Sequence, residues 1–87
     1  DFSRMKTVRG VINRPYYDWG GRKYIEINSD GTVYRAKVPF RYGRVMCHMT
    51  GLKTVQEMEI GQKVEAILTS KIWDGEEFWV MVSLTEI

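Results

Sequence analysis

The chain has 87 residues, of which 44% are hydrophobic and 28% charged. A chain of this length supports a single hydrophobic core, because only about 60% of its unfolded surface can be hidden on folding. The composition is globular, which argues against disorder. No charge-free stretch approaches the ~20 residues of a membrane helix, and no basic, apolar leader is expected.

The formal charge of +2 conceals a division. Residues 1–48 carry ten Lys/Arg against four Asp/Glu, a net +6, and residues 49–87 carry three Lys against seven Asp/Glu, a net −4. A basic half of this kind points to a polyanionic partner. Seven of its ten cations are arginine, whose flat guanidinium pairs phosphate through two bonds and stacks on bases. The one cysteine, Cys47, excludes an internal disulfide, and with the one histidine, His48, it cannot furnish a zinc site. No metal or cofactor is expected. Cys47 is expected to be a small buried hydrophobe, and the missing disulfide framework points to a reducing, cytoplasmic setting.

In chain order, Lys6 to Asn13 alternates as a strand with Val8, Gly10 and Ile12 on one side, and Gly10 marks a bend. Pro15 is expected to end that strand, leaving a surface loop closed by Gly20-Gly21. Tyr24 to Asn28 alternates again with Ile25 and Ile27 inward, and Asp30-Gly31 signals a hairpin turn. The return strand from Thr32 to Val38 sends Tyr34, Ala36 and Val38 to the core and Val33, Arg35 and Lys37 outward. Residues 40–60 are the least regular, and Val45, Met46, Met49 and Leu52 fit a short helical turn. Lys63 to Ser70 is a strand with Val64, Ala66 and Leu68 inward, and Asp74-Gly75 is a second hairpin turn. From Glu77 to Leu84, the alternation predicts Phe78, Val80, Val82 and Leu84 inside and Trp79, Met81 and Ser83 outside.

The predicted fold is all-β: a three-strand meander, one helical turn and a two-strand hairpin, closed into a small five-stranded antiparallel Greek-key barrel, the OB-like order. Closure hides sheet edges that otherwise recruit other chains. The run Ile60-Gly61-Gln62-Lys63-Val64-Glu65-Ala66-Ile67, with Trp79-Val80-Met81-Val82-Ser83-Leu84, resembles the RNA-binding repeat of the largest small-subunit ribosomal protein. In that family a Gly-Gln-x-Val segment leads into the fourth strand and Ser-Leu closes the fifth. Val8-Arg9-Gly10-Val11-Ile12 resembles its first strand, and His48-Met49-Thr50 echoes its helical His-Ile-Ser signature. The second and third strands depart from the family, matching only through Tyr24 and Tyr34. The resemblance, which extends to cold-shock-like barrels, implies an OB fold and a nucleic-acid-binding face.

In such a barrel the ligand lies on the second and third strands, between the one–two and four–five loops. The first of these contains Arg14, Tyr16, Tyr17, Trp19, Arg22 and Lys23; the meander adds Tyr24, Arg35 and Lys37, and the last loop adds Lys71 and Trp73. Cations follow phosphates while flat rings stack on unpaired bases, so the expected partner is single-stranded RNA or DNA and the expected role is not catalytic. The alternative is a protein–protein adaptor barrel, OB- or SH3-like, using Trp73, Trp79 and Met81 as an exposed patch, with a protein partner or homodimer. Enzymatic chemistry is disfavoured because Glu76 and Glu77, as strand neighbours, face opposite ways, and no phosphate-cradling glycine loop with its lysine is present. Glu57, Glu59, Glu76 and Glu77 have two readings: they solubilise the face opposite the ligand, or they repel nucleic acid from the wrong side or dock onto a basic partner.

Overall fold

The computed structural model describes residues 5–51 and 53–87. Its strands are β1 (Met5–Trp19), β2 (Arg22–Ser29), β3 (Thr32–Lys37), β4 (Phe40–Arg41), β5 (Arg44–Val45), β6 (His48–Thr50), β7 (Lys63–Trp73) and β8 (Glu76–Glu86), with a 3-10 turn at Val55–Glu57 between β6 and β7. The principal sheet runs β3-β2-β1-β7-β8-β6. A parallel seam, Ala36 opposite Trp79 and Lys37 opposite Val80, joins β3 to β8 and closes five strands into a barrel of OB-like topology.

Inward alternation explains the closure. Val8 and Ile12 of β1, Ile25 and Ile27 of β2, Ala36 of β3, Val64, Ala66 and Leu68 of β7, and Met81 and Leu84 of β8 meet in one buried cluster. Val55 and Met58, from the 3-10 turn and its end, join the same buried cluster. Leu68 is fully buried, so Leu68→Ala is expected to cost about 2–5 kcal/mol in a denaturant melt. Cys47 is half-buried against this cluster rather than enclosed by it, and its burial pushes the thiol pKa up.

Four local expectations are corrected. First, Pro15 does not end the first strand: β1 continues to Trp19, with register shifts between Ile12 and Arg14 and between Arg14 and Tyr17. Each shift places one extra residue on β1, and Pro15 lies inside the second, where no ladder N–H is required of it. Second, the alternation of β8 inverts. Ile67 faces Ser83 but Leu68 faces Met81, so Val82 is the extra residue of a bulge. Beyond it Met81 turns inward to full burial and Trp79 packs against the core, while Val80 and Val82 lie at intermediate exposure.

Third, the helical turn lies at Val55–Glu57 instead of around Val45, Met46 and Met49. Leu52, assigned to the same turn, lies outside the described residues. Fourth, His48–Thr50 is a strand, paired parallel with Ser83–Thr85 and tied by a Thr50 Oγ1 to Thr85 Oγ1 hydrogen bond of 2.9 Å. Phe40 to Val45 forms a miniature hairpin.

Gly10 stands where β1 passes from β7, its partner up to Val11, to β2, its partner from Val11 onward. A Cβ there would lie 2.1 Å from the Asn28 carbonyl oxygen, so the side-chain-free residue lets the two backbones close. The Gly61-Gln62 lead-in secures the same bend. The Ile12 amide donates to the Gln62 carbonyl and the Gly61 amide donates to the Ile12 carbonyl, both at 2.9 Å.

Candidate functional site

Two hairpins project from one end of the barrel. The β1–β2 hairpin turns at Gly20-Gly21 (φ +62° and +79°) and the β7–β8 hairpin at Asp74-Gly75 (φ +52° and +79°). Positive φ at both central residues is the primed-turn geometry that matches the twist of paired strands. The segment from Arg14 to Lys23, read from sequence as a surface loop, is therefore a paired strand arm, and Asp74-Gly75 turns the second arm as a hairpin. Tyr17 faces Tyr24, Asp18 faces Lys23 and Trp19 faces Arg22 in the first arm; Lys71 faces Phe78 and Trp73 faces Glu76 in the second.

Between the arms lies an open cleft of about 350 Å³, lined by Trp19, Arg22, Tyr24, Arg35, Trp73, Glu76, Glu77, Phe78 and Trp79. Its origin is topological. The seam between β3 and β8 is two pairs long, and ahead of Ala36 and Trp79 the strands separate, with Arg35 on one lip and Phe78 on the other.

The rings differ in how much face they offer. Tyr24 projects outward from β2, opposite in sense to Ile25, yet is only 8% exposed. Tyr17 at 5.8 Å, Trp19 at 6.0 Å and the Arg35 guanidinium at 5.2 Å from its ring cover it. Tyr17 is itself covered by the Arg14 guanidinium, 3.7 Å from its ring centre. Its hydroxyl donates to Glu26 Oε2 at 2.9 Å, and burial followed by that bond pushes its pKa up. Trp19 and Trp73, by contrast, are 59% and 70% exposed. Stacking capacity therefore rests on these two indoles, while the tyrosines form the wall behind Trp19. Arg35 lies 5.0 Å from the Trp19 ring, which supports the indole and holds a positive charge at the mouth.

Arg22 also lines a second hollow of about 140 Å³ with Gly21, Lys23, Lys37, Val38 and Phe40. Here Lys23 is ion-paired with Asp18, and its ammonium lies 6.0 Å from the Phe40 ring centre. The hydrogen bond from Lys23 lowers the Asp18 pKa below the usual carboxylate value and raises that of Lys23. The pair is complete between those two ranges. Its contribution is lost as pH falls through the lowered Asp18 value, and lost again as pH rises through the raised Lys23 value. A carbon-detected NMR titration is expected to place the Asp18 midpoint below 3.8, with Lys23→Met moving it back up.

Of the residues singled out from sequence, Trp19, Arg22, Tyr24, Arg35 and Trp73 meet in the cleft, and Lys23 and Lys37 meet in the neighbouring hollow. Arg14 and Tyr17 extend the same outer face. Tyr16 does not join them: it is half-buried against the core, and burial raises its hydroxyl pKa. Lys71 is exposed on β7 outside the lining of either hollow. Phe40 and Phe78 were missed because they read as irregular and as core, and Trp79, read as outward, was given to the adaptor patch and not to the nucleic-acid face.

Glu76 and Glu77, which one reading assigned to the face opposite the ligand, both line the cleft. The adaptor patch does not form as drawn, because Met81 is 1% exposed and Trp79 rests against Tyr34 at 6.1 Å. No family model, curated protein or solved structure matches the chain.

Proposed function

We propose that this barrel binds single-stranded nucleic acid, without catalysis, in the cleft between its two hairpin arms. One observation carries the reading: Trp19 and Trp73, each more than half exposed, stand on separate arms around one cleft that also holds Arg22 and Arg35. A solvent-facing indole is stabilising only when something flat covers it, and each base stacked on an aromatic ring contributes about 1–3 kcal/mol. Arginine beside the rings supplies the phosphate contacts that stacking lacks. A duplex hides its base faces and offers such rings little. The likeness to the ribosomal RNA-binding repeat agrees with this reading through Gly61 and Gln62, whose backbone bonds to Ile12 hold the bend of β1.

The hollow lined by Lys23, Lys37 and Phe40 shares Arg22 with the cleft and continues the basic surface along the strand's path. Titration with single- and double-stranded oligonucleotides at two salt concentrations tests the proposal. Single strands are expected to quench tryptophan fluorescence and to bind more tightly, with affinity falling steeply as salt rises. Equal weak binding of both ligands, with no quenching, would leave only charge attraction. Arg35→Ala is expected to weaken every sequence alike and to flatten the slope of log affinity against log salt by about one unit, the signature of one lost phosphate contact.

A further inference from the structure

Glu76 and Glu77 are an awkward presence in a site for a polyanion. Both line the cleft, and among the described residues neither carboxylate has a hydrogen-bond or ion-pair partner. Unpaired carboxylates repel a phosphate backbone, so their place beside two exposed indoles weakens nonspecific binding. They become favourable when the ligand brings donors to them.

A carboxylate only accepts hydrogen bonds, and an arginine only donates them. The cleft therefore offers acceptors from Glu76 and Glu77 and base-facing donors from Arg22, with Arg35 left to the phosphates, around rings that fix the plane of a base. Guanine complements this set most fully. Its N1–H and N2 amino group are adjacent donors that one carboxylate takes in parallel, while O6 and N7 are adjacent acceptors suited to a guanidinium. Thymine and uracil present two carbonyls flanking a single N–H, so the same carboxylate meets lone pairs. Cytosine and adenine each bring one amino group beside a ring-nitrogen acceptor and satisfy it in part.

Resting on the binding reading above, we infer that the cleft selects an unpaired guanine, with Glu76 and Glu77 as the specificity-determining pair and Trp19 and Trp73 as the stacking surfaces. The volume of about 350 Å³ leaves room for a purine and its sugar. The carboxylates thus exchange general affinity for discrimination, as unpaired groups set against the wrong ligand do.

The test compares three nine-nucleotide strands at one salt concentration: oligothymidine, the same strand with one central guanine, and the same strand with inosine there. Inosine lacks only the 2-amino group. Guanine is expected to tighten binding by about 5- to 150-fold over thymine, with inosine losing most of that gain. In the double variant Glu76→Gln, Glu77→Gln the preference is expected to shrink to a few-fold, while oligothymidine binds as well as before or better. Oligothymidine and the guanine strand binding equally, with quenching and salt dependence intact, would overturn the inference alone. So would a guanine preference undiminished in the double variant. No salt-dependent, quenching interaction with any strand would overturn the binding reading and this inference together.

Discussion

Trp19→Ala and Trp73→Ala are each expected to weaken single-strand binding by about 5- to 150-fold, the equivalent of about 1–3 kcal/mol, while leaving the melting temperature nearly unchanged. The two halves of this expectation have one cause. Both indoles are mostly exposed at the ends of hairpin arms, so removing them takes little from the core. Trp19 lies against Tyr24 and the Arg35 guanidinium, so its loss uncovers one ring and leaves the cation with only the Tyr24 ring; Trp73 has no such neighbours among the ring contacts of the described residues. Trp19→Ala is therefore expected to lower stability slightly more than Trp73→Ala. Tyr17→Phe supplies the contrast, since it removes the hydroxyl bond to Glu26 and leaves both indoles in place. Its effect on binding is expected to be within a few-fold. Fluorescence anisotropy with a labelled oligonucleotide and thermal melts of all three variants separate these outcomes. Loss of folding in the tryptophan variants, or unchanged binding in both, would contradict the assignment.

Gly10→Ala is expected to have the largest effect on stability of any surface-strand change, about 3 kcal/mol or more, and to lower the melting temperature by roughly 10–25 °C. The added methyl would meet backbone, the Asn28 carbonyl carbon and oxygen at 2.8 and 2.1 Å, and backbone cannot rotate away as a side chain can. The β1–β2 ladder would have to part at the point where it begins, while β1 is still held to β7 through Gly10 and Val11. Against a total of roughly 5–15 kcal/mol for a domain, that loss is severe. Gly31→Ala is the useful comparison. No atom lies within 4 Å of its added Cβ, but φ is +86°, so only backbone strain of about 1–2 kcal/mol is expected. A Gly10 variant that melts no lower than the Gly31 variant would mean that the strands part at no cost.

The parts of this fold legible in the sequence are those where one residue type has one physical meaning. Ile25, Ile27, Ala36, Val64, Ala66 and Leu68 all fall inside as alternation requires, and Asp30-Gly31 and Asp74-Gly75 turn as Asp-Gly pairs turn. The failures lie where a single inserted residue changes phase. Val82 looks like any strand valine, yet as a bulge it moves Met81 inside and removes the hydrophobic patch the adaptor reading required. Pro15 has the same explanation in reverse, a strand-breaking residue accommodated where the strand already bulges. Among the candidate site residues, composition identified the rings and cations, but periodicity could not rank their exposure. Tyr16, Tyr17, Tyr24 and Trp19 stand close together in sequence, and only the packing of Arg14, Arg35 and the core against them leaves Trp19 with an open face.

The barrel is fastened unevenly. Long antiparallel ladders bind most of its circumference, but the last joint, between β3 and β8, is held by two residue pairs beside the cleft. That joint is the clasp of the hoop, and thermal breathing is expected to begin there. A ligand gripped by both arms spans the clasp from outside and pins its ends together. The same contacts that hold the strand would then slow amide exchange at Ala36 and Lys37, so that occupancy is felt as stiffness in the weakest arc of the wall.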